Sequence, residues 1–261
     1  MSKKKIALFI NSSLGIKILN YLHSQQNVLI QFIVINEENK RSEDFLKVLN
    51  NALSNLGLDC IIIENNKLNL EKLPEFDYGV SAMFGHIIED KLIEKAKKDF
   101  INLHPSLLPI GRGANPISWS IINNGPQGGT IHKLTSKLDA GDIYVQAQVD
   151  FGIEANATTI YLELMELLLE LFINFFHDWT NGELKARAQS ETNFSTHQVS
   201  ELESVRKIDC KEMLTAEQFV RRIQALDFNN GTSAIFQDSA GVDWRIKLFL
   251  EIQNKTLEVP D

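Results

Sequence analysis

Cysteine is scarce in this chain of 261 residues, which has only Cys60 and Cys210. Two thiols this far apart in sequence form neither a disulfide framework nor the paired spacing of a zinc site. A small cysteine count is typical of a reducing compartment. We therefore expect a cytoplasmic protein without a structural metal.

Positive charge is also in short supply, because 26 Lys and Arg residues face 34 Asp and Glu residues and the formal net charge is -8. Binding to nucleic acid relies on clustered Lys and Arg that neutralise phosphates. The composition therefore disfavours a nucleic-acid partner.

Long hydrophobic runs without charge are missing. The apolar run Ile6–Ile10 is too short for the core of a signal peptide. The most apolar segment runs from Ile160 to Phe176, but four polar residues recur in it at helical spacing: Glu163, Glu166, Glu170 and Asn174. This stripe predicts a largely buried helix with one face in water rather than a membrane span, so we expect no membrane partner.

Two glycine-rich signatures are absent as well. The first apolar run is not followed by Gly-x-Gly-x-x-Gly, and the chain has no Gly-Lys-Ser/Thr P-loop. These loops hold the pyrophosphate of dinucleotides and the phosphates of nucleotides that are hydrolysed. A nicotinamide enzyme and a nucleotide hydrolase are therefore disfavoured.

What the sequence does contain is an alternation of apolar runs and helical patterns. It predicts a doubly wound, Rossmann-like α/β domain. The expected strands are Lys5–Asn11, Val28–Ile35, Leu58–Ile63, Tyr78–Met83, Phe100–His104, Gly129–Leu134 and Ile143–Val149. The expected helices run to Gln25, from Ser42 to Leu56, over Glu89–Lys97, from Asn115-Pro116 onward, and through the long apolar segment.

After about Thr180 the pattern changes to a polar stretch. We expect a catalytic domain over 1–180 and a C-terminal extension over 181–261, with a helix at Thr215–Leu226. Two alternating runs, Gly231–Gln237 and Trp244–Glu251, predict a β-hairpin. The hairpin either pairs with a second copy in a homodimer or packs back on its own chain. Its apolar residues are Ile235, Phe236, Trp244, Ile246 and Leu248.

The candidate site lies at the end of the fifth strand. Asn102 and His104 are two residues apart, so on a strand both side chains point to one face. Pro105 has no backbone N–H and ends the strand there. Ligands of open α/β sheets bind at this carboxyl edge. An amide that holds an oxyanion and an imidazole that moves a proton are the groups that acyl transfer needs.

Four ordered motifs resemble the formyltransferase family that uses N10-formyltetrahydrofolate. They are Asn102-x-His104-Pro105-Ser106-Leu107-Leu108-Pro109, Arg112-Gly113, Thr130-Ile131-His132 and Leu138-Asp139-x-Gly141-Asp142. The resemblance implies Asn102, His104 and Asp139 as catalytic residues, with His132 and Asp142 in support. In the family pattern the carboxylate precedes x-Gly, which selects Asp139 over Asp142.

The resemblance also implies the ligands. N10-formyltetrahydrofolate is expected against the Asp139 loop and the segment Phe84, Gly85, His86, Ile87 and Ile88. Candidate contacts for a dTDP-sugar fall into two groups. Its pyrophosphate needs cations or amides, for which the candidates are Asn11, Ser12, Ser13 and Arg187. Its base needs a flat face, for which they are Phe194 and His197.

The tail points to a subfamily. Arg221–Leu226 and the hairpin resemble the tails of dTDP-amino-sugar formyltransferases, although Gly129 stands where those enzymes usually have valine. The resemblance implies formylation of a dTDP-linked amino-dideoxy sugar, first of all dTDP-4-amino-4,6-dideoxyglucose, for surface polysaccharide such as O-antigen. Alternative acceptors are a 3-amino sugar or another amine such as methionyl-tRNA. The other hypotheses are hydrolysis of formyltetrahydrofolate and a non-catalytic module that binds folate or a nucleotide.

Overall fold

The computed structural model describes residues 3–35, 41–58, 61–64, 67–228 and 232–250. Cys60, Gly231 and Glu251, which figured in the predictions above, lie outside these ranges. Among the described helices, none has the length and apolarity needed to cross a bilayer. No group of three His, Cys, Asp or Glu side chains in the same residues is placed to hold a metal ion.

A seven-stranded sheet forms the centre of the molecule, in the order β3-β2-β1-β4-β5-β7-β8. The first five strands in this order are parallel. At one edge, β7 pairs antiparallel with β5, and β8 pairs antiparallel with β7. The strands are β1 Lys4–Ile10, β2 Val28–Ile35, β3 Ile61–Glu64, β4 Phe76–Ala82, β5 Ala96–His104, β7 Gln127–Lys133 and β8 Ile143–Val149. The predicted doubly wound α/β fold is confirmed.

Both faces of this sheet are covered because its strands are apolar on both sides, one face by the long helices and the other by the short helix Asp90–Ile93 and the segments 68–73 and 84–88. The helices of this part are α1 Ser13–Ser24, α2 Arg41–Leu56, α3 Asp90–Ile93, α4 Pro116–Ile122 and α5 Ala157–Asn181. The largest core cluster lies between the sheet and helices α1, α2 and α5. A second cluster, rich in phenylalanine, fills the other face around Phe9, Phe32 and Phe100.

Helix α5 follows the predicted pattern: Glu163, Glu166, Glu170 and Asn174 are exposed, while Leu164, Leu168 and Phe172 are buried. Gly129 on β7 lies beneath this helix. A Cβ at Gly129 would come within 2.8 Å of Leu168 Cδ2. The absence of a side chain at this position therefore lets α5 approach the sheet closely.

Some predicted boundaries were wrong. The helix expected over Glu89–Lys97 ends at Ile93, and β5 begins at Ala96 rather than Phe100. Pairing with β4 explains the longer strand, because Ala96 and Asp99 add rungs to the ladder opposite Phe76 and Tyr78. Helix α2 begins at Arg41, so Ser42 lies in its first turn and not at its cap. Strand β4 ends at Ala82 because Met83 has a positive φ of 51°.

The residues after α5 form smaller elements. They are β9 Thr196–His197, α6 Val199–Arg206, β10 Lys207–Asp209, α7 Ala216–Leu226, β11 Ala234–Gln237 and β12 Asp243–Ile246. The predicted helix begins with a capping box between Thr215 and Gln218, and the hairpin of β11 and β12 is present. Strand β12 is shorter than predicted. Strand β10 adds in parallel to β11, which the sequence did not indicate.

Part of the hairpin packs back on its own chain. Phe236, Ile246 and Leu248 lie against a buried cluster that also contacts Trp119 and Ile122 of the first part. Trp244 lies on the same face as Phe236, its partner on β11, but nearer the turn, and is 57% exposed. The division at residue 180 stays a prediction.

Candidate active site

Asn102 and His104 lie at the carboxyl end of β5, as the alternation predicted. On the antiparallel neighbour β7, Asn102 stands opposite His132 and His104 stands opposite Thr130. Directly opposed residues in such a pair have neighbouring side chains on one face of the sheet. The ladder therefore brings an amide and two imidazoles together, and both rings are buried.

The Asp139 carboxylate completes this group from the loop between β7 and β8. Its Oδ2 lies 3.6 Å from His104 Nδ1, and its Oδ1 lies 3.6 Å from His132 Nε2. Asn102 Nδ2 donates to Oδ1 at 3.3 Å, and the backbone N–H of Gly113 donates to Oδ2 at 2.9 Å. One carboxylate thus contacts all three side chains. Asp142 lies at the start of β8, where its carbonyl accepts from the Lys133 N–H.

The hydrogen bonds of His104 define which ring nitrogen is basic. Its Nε2–H donates to the carbonyl oxygen of Gly111 at 2.8 Å, so Nδ1 carries the lone pair in the neutral ring. Nδ1 faces Asp139. Burial lowers the pKa of His104 below its usual 6.5, and the nearby His132 acts in the same direction, although Asp139 and the Gly111 carbonyl oppose them. His104 is therefore neutral at pH 7 and ready to accept a proton.

Asp139 stays ionised. Burial by itself raises the pKa of this carboxyl, but the neighbouring His104 and His132 and the hydrogen bond from the Gly113 N–H outweigh burial and bring the pKa well below its usual range. The backbone of Asp139 has a φ of +46°, a left-handed conformation that aspartate tolerates better than most residues. The loop must hold this conformation for the carboxylate to reach the histidines.

The candidate folate residues divide into two groups. Phe84 and Ile88 are buried in the second core cluster, where Phe84 packs edge-on against Phe9. Gly85, with a φ of +75°, and its neighbours His86 and Ile87 are exposed. The roles of all five as binding residues stay a prediction.

The surroundings of the site include two loops. The 83–88 loop follows β4, the parallel neighbour of β5, and the Asp139 loop brings its carboxylate beside His104 at the end of β5. Each loop exposes a large apolar side chain, Ile87 at 73% and Leu138 at 53%. Apolar walls with a few convergent polar groups are typical of sites for ligands such as a pterin.

Asn11, Ser12 and Ser13 lie where β1 ends and α1 begins. Asn11 Oδ1 and Ser12 Oγ are buried and have no hydrogen-bond partner within the described residues. Ser12 is the N-cap of α1, yet its side chain does not cap the helix. Buried polar atoms without partners are rare in native proteins, and a helix N-terminus favours anions.

Arg187 lies elsewhere. It forms an isolated bridge with Ile143 on β8, and its guanidinium donates to Gln146. Strands β1 and β8 are four spacings apart in the sheet, about 19 Å. Arg187 and the Asn11–Ser13 turn therefore cannot bind the same pyrophosphate.

The two candidate stacking residues already have partners. His197 stacks on Trp119 with ring centroids 4.2 Å apart, and its Nδ1 pairs with Glu201 at 2.8 Å. Phe194 is covered by the guanidinium of Arg112, whose Cζ lies 4.8 Å from the ring centroid. Each of these rings therefore has at most one face left on which a nucleotide base could stack.

Sequence reasoning missed a group of contacts from the polar stretch. Ser195 Oγ accepts from the N–H of Gly111, and Gln189 donates to the carbonyls of Asp139 and Gly141. Strand β9 pairs with the two-residue strand β6, Arg112–Gly113. Only the Arg112-Gly113 motif could have indicated this region, because two-residue strands carry no periodicity.

Known proteins resemble the chain in both sequence and fold. Residues 63–174 match the family model described as formyl transferase. A methionyl-tRNA formyltransferase of Thermotoga neapolitana is 34% identical over 143 residues, which are 52% of this chain and 45% of that relative. The chain therefore spans about half the length of this curated relative.

Two solved structures share the fold. A 4-N formyltransferase from Francisella tularensis matches with a TM-score of 0.81 and 23% identity, over 95% of this chain and 98% of that chain. An N-formyltransferase from Helicobacter canadensis, solved in complex with folinic acid and dTDP-3-aminofucose, matches with a TM-score of 0.69 and 22% identity, over 88% of this chain and 82% of that chain.

Proposed function

We propose, from the premise that this chain carries a domain of the formyl transferase family, that it is an N-formyltransferase acting on a nucleotide-linked amino sugar. The formyl donor is N10-formyltetrahydrofolate. The acceptor is the primary amine of a dTDP-linked amino-dideoxy sugar, with dTDP-4-amino-4,6-dideoxyglucose as first candidate. The observation that carries the proposal is the contact of one carboxylate with Asn102, His104 and His132.

In this reaction the donor supplies a formyl carbon that the amine attacks. His104 Nδ1 accepts the proton that the amine loses as the new C–N bond forms. The same imidazole returns that proton to the folate nitrogen when its bond to the formyl carbon breaks. The Nε2–H bond to Gly111 supports both steps, because it keeps the lone pair on Nδ1.

Asn102 stabilises the oxygen of the formyl group as negative charge develops there. Its Nδ2 lies 3.3 Å from both Asp139 Oδ1 and His132 Nε2, longer than the usual ~2.9 Å of such bonds. Contacts this long are weak, so one amide proton is available to donate to the oxyanion.

Asp139 holds the imidazolium that His104 becomes. The charged ring has two donors, which match the Asp139 carboxylate and the Gly111 carbonyl. Asp139 does not itself take the proton, since His104 and the Gly113 N–H keep the pKa of its carboxyl well below its usual range. Its negative charge stabilises the positive charge of the ring.

Several observations support a sugar nucleotide over methionyl-tRNA. The structure aligns over 98% of the Francisella 4-N formyltransferase. A net charge of -8 opposes binding to tRNA. We assign the diphosphate to the Asn11–Ser13 turn, which lies two strand spacings from β5, about 10 Å. Arg187 is left as a contact to a more distant part of the substrate.

We further propose a homodimer through the turn end of the hairpin and the segment that follows β12, in a cytoplasmic enzyme that serves surface polysaccharide synthesis. Trp244 and Phe249, which are 57% and 85% exposed, would contact the second copy. Light scattering on the wild type and on Phe249→Glu tests the assembly. A monomeric wild type would contradict the dimer and leave the proposed reaction untouched.

The reaction is tested by incubating the protein with N10-formyltetrahydrofolate and each acceptor separately. The acceptors are dTDP-4-amino-4,6-dideoxyglucose, its 3-amino isomer, UDP-4-amino-arabinose and methionyl-tRNA. A formyl mass gain on one sugar supports the proposal and identifies the amine. A gain on methionyl-tRNA alone, or release of formate without any acceptor, would overturn it in favour of the tRNA enzyme or a hydrolase.

A further inference from the structure

Gln189 uses every hydrogen-bonding position of its side-chain amide on the loops that form the candidate site. Its Nε2 donates to the carbonyl of Asp139 at 2.9 Å and to the carbonyl of Gly141 at 2.7 Å. Its Oε1 accepts from Arg112 Nε at 3.1 Å and from Arg112 Nη2 at 2.8 Å. An amide has two donor hydrogens and two acceptor lone pairs, so this side chain is saturated.

The loops that Gln189 joins are the two that orient His104. Gly113, beside Arg112, donates its N–H to Asp139 Oδ2, and Gly111 accepts from His104 Nε2. Asp139 has a positive φ, a conformation that persists only where its surroundings fix it. Gln189 holds the carbonyl of that same residue. Arg112 is fixed in turn by the ring of Phe194.

We propose that Gln189 is a positioning residue for formyl transfer, which holds Asp139 in its left-handed conformation so that the carboxylate faces His104. The inference rests on the proposed function. It assigns a role to a residue that follows the long helix and lies outside all four motifs. Gln189 acts through Asp139 and does not contact the reacting atoms.

Gln189→Glu is the sharpest variant. It keeps the size of the side chain and an acceptor for Arg112, but it removes both donors and places a carboxylate against two carbonyl oxygens. Gln189→Met removes all four hydrogen bonds without adding charge. Gln25→Glu is the matched control, because Gln25 also donates from its amide to a backbone carbonyl, that of Tyr21, at the far end of α1.

The measurements are kcat, KM for both substrates, and the pH dependence of kcat, with the thermal midpoint as a check on folding. We expect kcat to fall about 10- to 100-fold in both Gln189 variants with KM changed less than threefold. We also expect the acidic limb of the Gln189→Met profile to move to lower pH, since Asp139 and His132 are the ionisable groups facing His104 and displacement of Asp139 leaves less to stabilise the protonated ring. The limb of Gln189→Glu should move less, because the added carboxylate stabilises the protonated ring. A purely structural role would lower the amount of active protein without moving this limb.

The outcomes separate the two proposals. An active wild type whose Gln189 variants keep kcat and the pH profile would overturn the positioning role alone. The same loss of kcat in Gln25→Glu would also overturn it, because the effect would not be specific to the site. A wild type that formylates no acceptor would overturn the proposed function, and this inference with it.

Discussion

Two histidines flank the Asp139 carboxylate, one from the end of β5 and one from β7. Both are buried and both lie 3.6 Å from it, on different oxygens. They differ in what binds their second nitrogen. His104 Nε2 reaches across to the Gly111 carbonyl of another loop, whereas His132 Nδ1 reaches the carbonyl of the next residue in its own strand, Lys133.

This difference indicates different roles for the two histidines. The partner of His104 belongs to a loop shaped by long-range contacts with Ser195 and Thr196–His197. His132 is tied to its own strand, and its Nε2 contacts both Asp139 and Asn102. We infer that His104 exchanges protons with the substrates, while His132 keeps Asp139 and Asn102 in place.

The largest effect is expected for His104→Ala. Loss of the group that moves the proton should lower kcat by about 10⁴-fold, the upper end for general acid–base catalysis. Folate binding should persist, because the proposed folate contacts at 84–88 are unchanged. Product mass and equilibrium binding measure the two quantities. Turnover within tenfold of the wild type would show that another residue carries the proton.

Asn102→Ala should have the next largest effect. Removal of one oxyanion donor costs about 10²- to 10³-fold in kcat. The control is Asn123→Ala, which removes the same amide at the end of α4, outside the cluster. Equal losses in both variants would contradict a specific role for Asn102.

His132→Gln should have a small effect, about tenfold in kcat, because a glutamine amide can still accept from Asn102, as Nε2 of His132 does. The comparison with His104→Gln is the direct test of the difference between the two histidines. A loss at His132 as large as that at His104 would mean that both rings take part in proton transfer.

The smallest effect concerns stability. The pKa of His104 in the folded protein lies below 6.5, so the unfolded chain binds a proton first as pH falls through 6.5 and stability is lost. The loss is at most about 1.4 kcal/mol per pH unit. His104→Gln should therefore lose less free energy of unfolding between pH 7.5 and 5.5 than the wild type.

Urea titrations at the two pH values measure this difference. His177→Gln serves as control, because His177 lies on the exposed side of α5 and its replacement should leave the loss unchanged. An unchanged loss in His104→Gln would contradict the burial of a neutral imidazole at this position.

The sequence predicted the parts of the fold that local patterns encode. The bounds of β2 and β8 agree with their apolar runs. The position of Asn102 and His104 on one face of β5 follows from the two-residue period of a strand. The contacts of Gln189 and Ser195 with the loops at Gly111 and Asp139 had no such signal. Gln189 and Ser195 lie in a polar stretch, and their partners are 77 and 84 residues away. Only folding brings these residues together.

The same limit applies to the ligand contacts. The sequence grouped Arg187 with Asn11, Ser12 and Ser13 as alternatives for one pyrophosphate, because all are polar and lie near the ends of predicted elements. Strand order cannot be read from such local signals. The observed order places Arg187 beside β8 at one edge of the sheet, four strand spacings from β1. The roles of these residues stay predictions.

The close approach of α5 to Gly129 also constrains how this protein can diverge from its relatives. Valine, the residue that the resemblance leads one to expect at this point, would collide with Leu168. If Leu168 were truncated while Gly129 is still present, the cavity left behind would cost about 2–5 kcal/mol of stability. If valine replaced Gly129 while Leu168 is still present, overpacking would cost about 1–3 kcal/mol. The effects of substitutions at positions 129 and 168 on stability should therefore be non-additive, because the two residues are in contact.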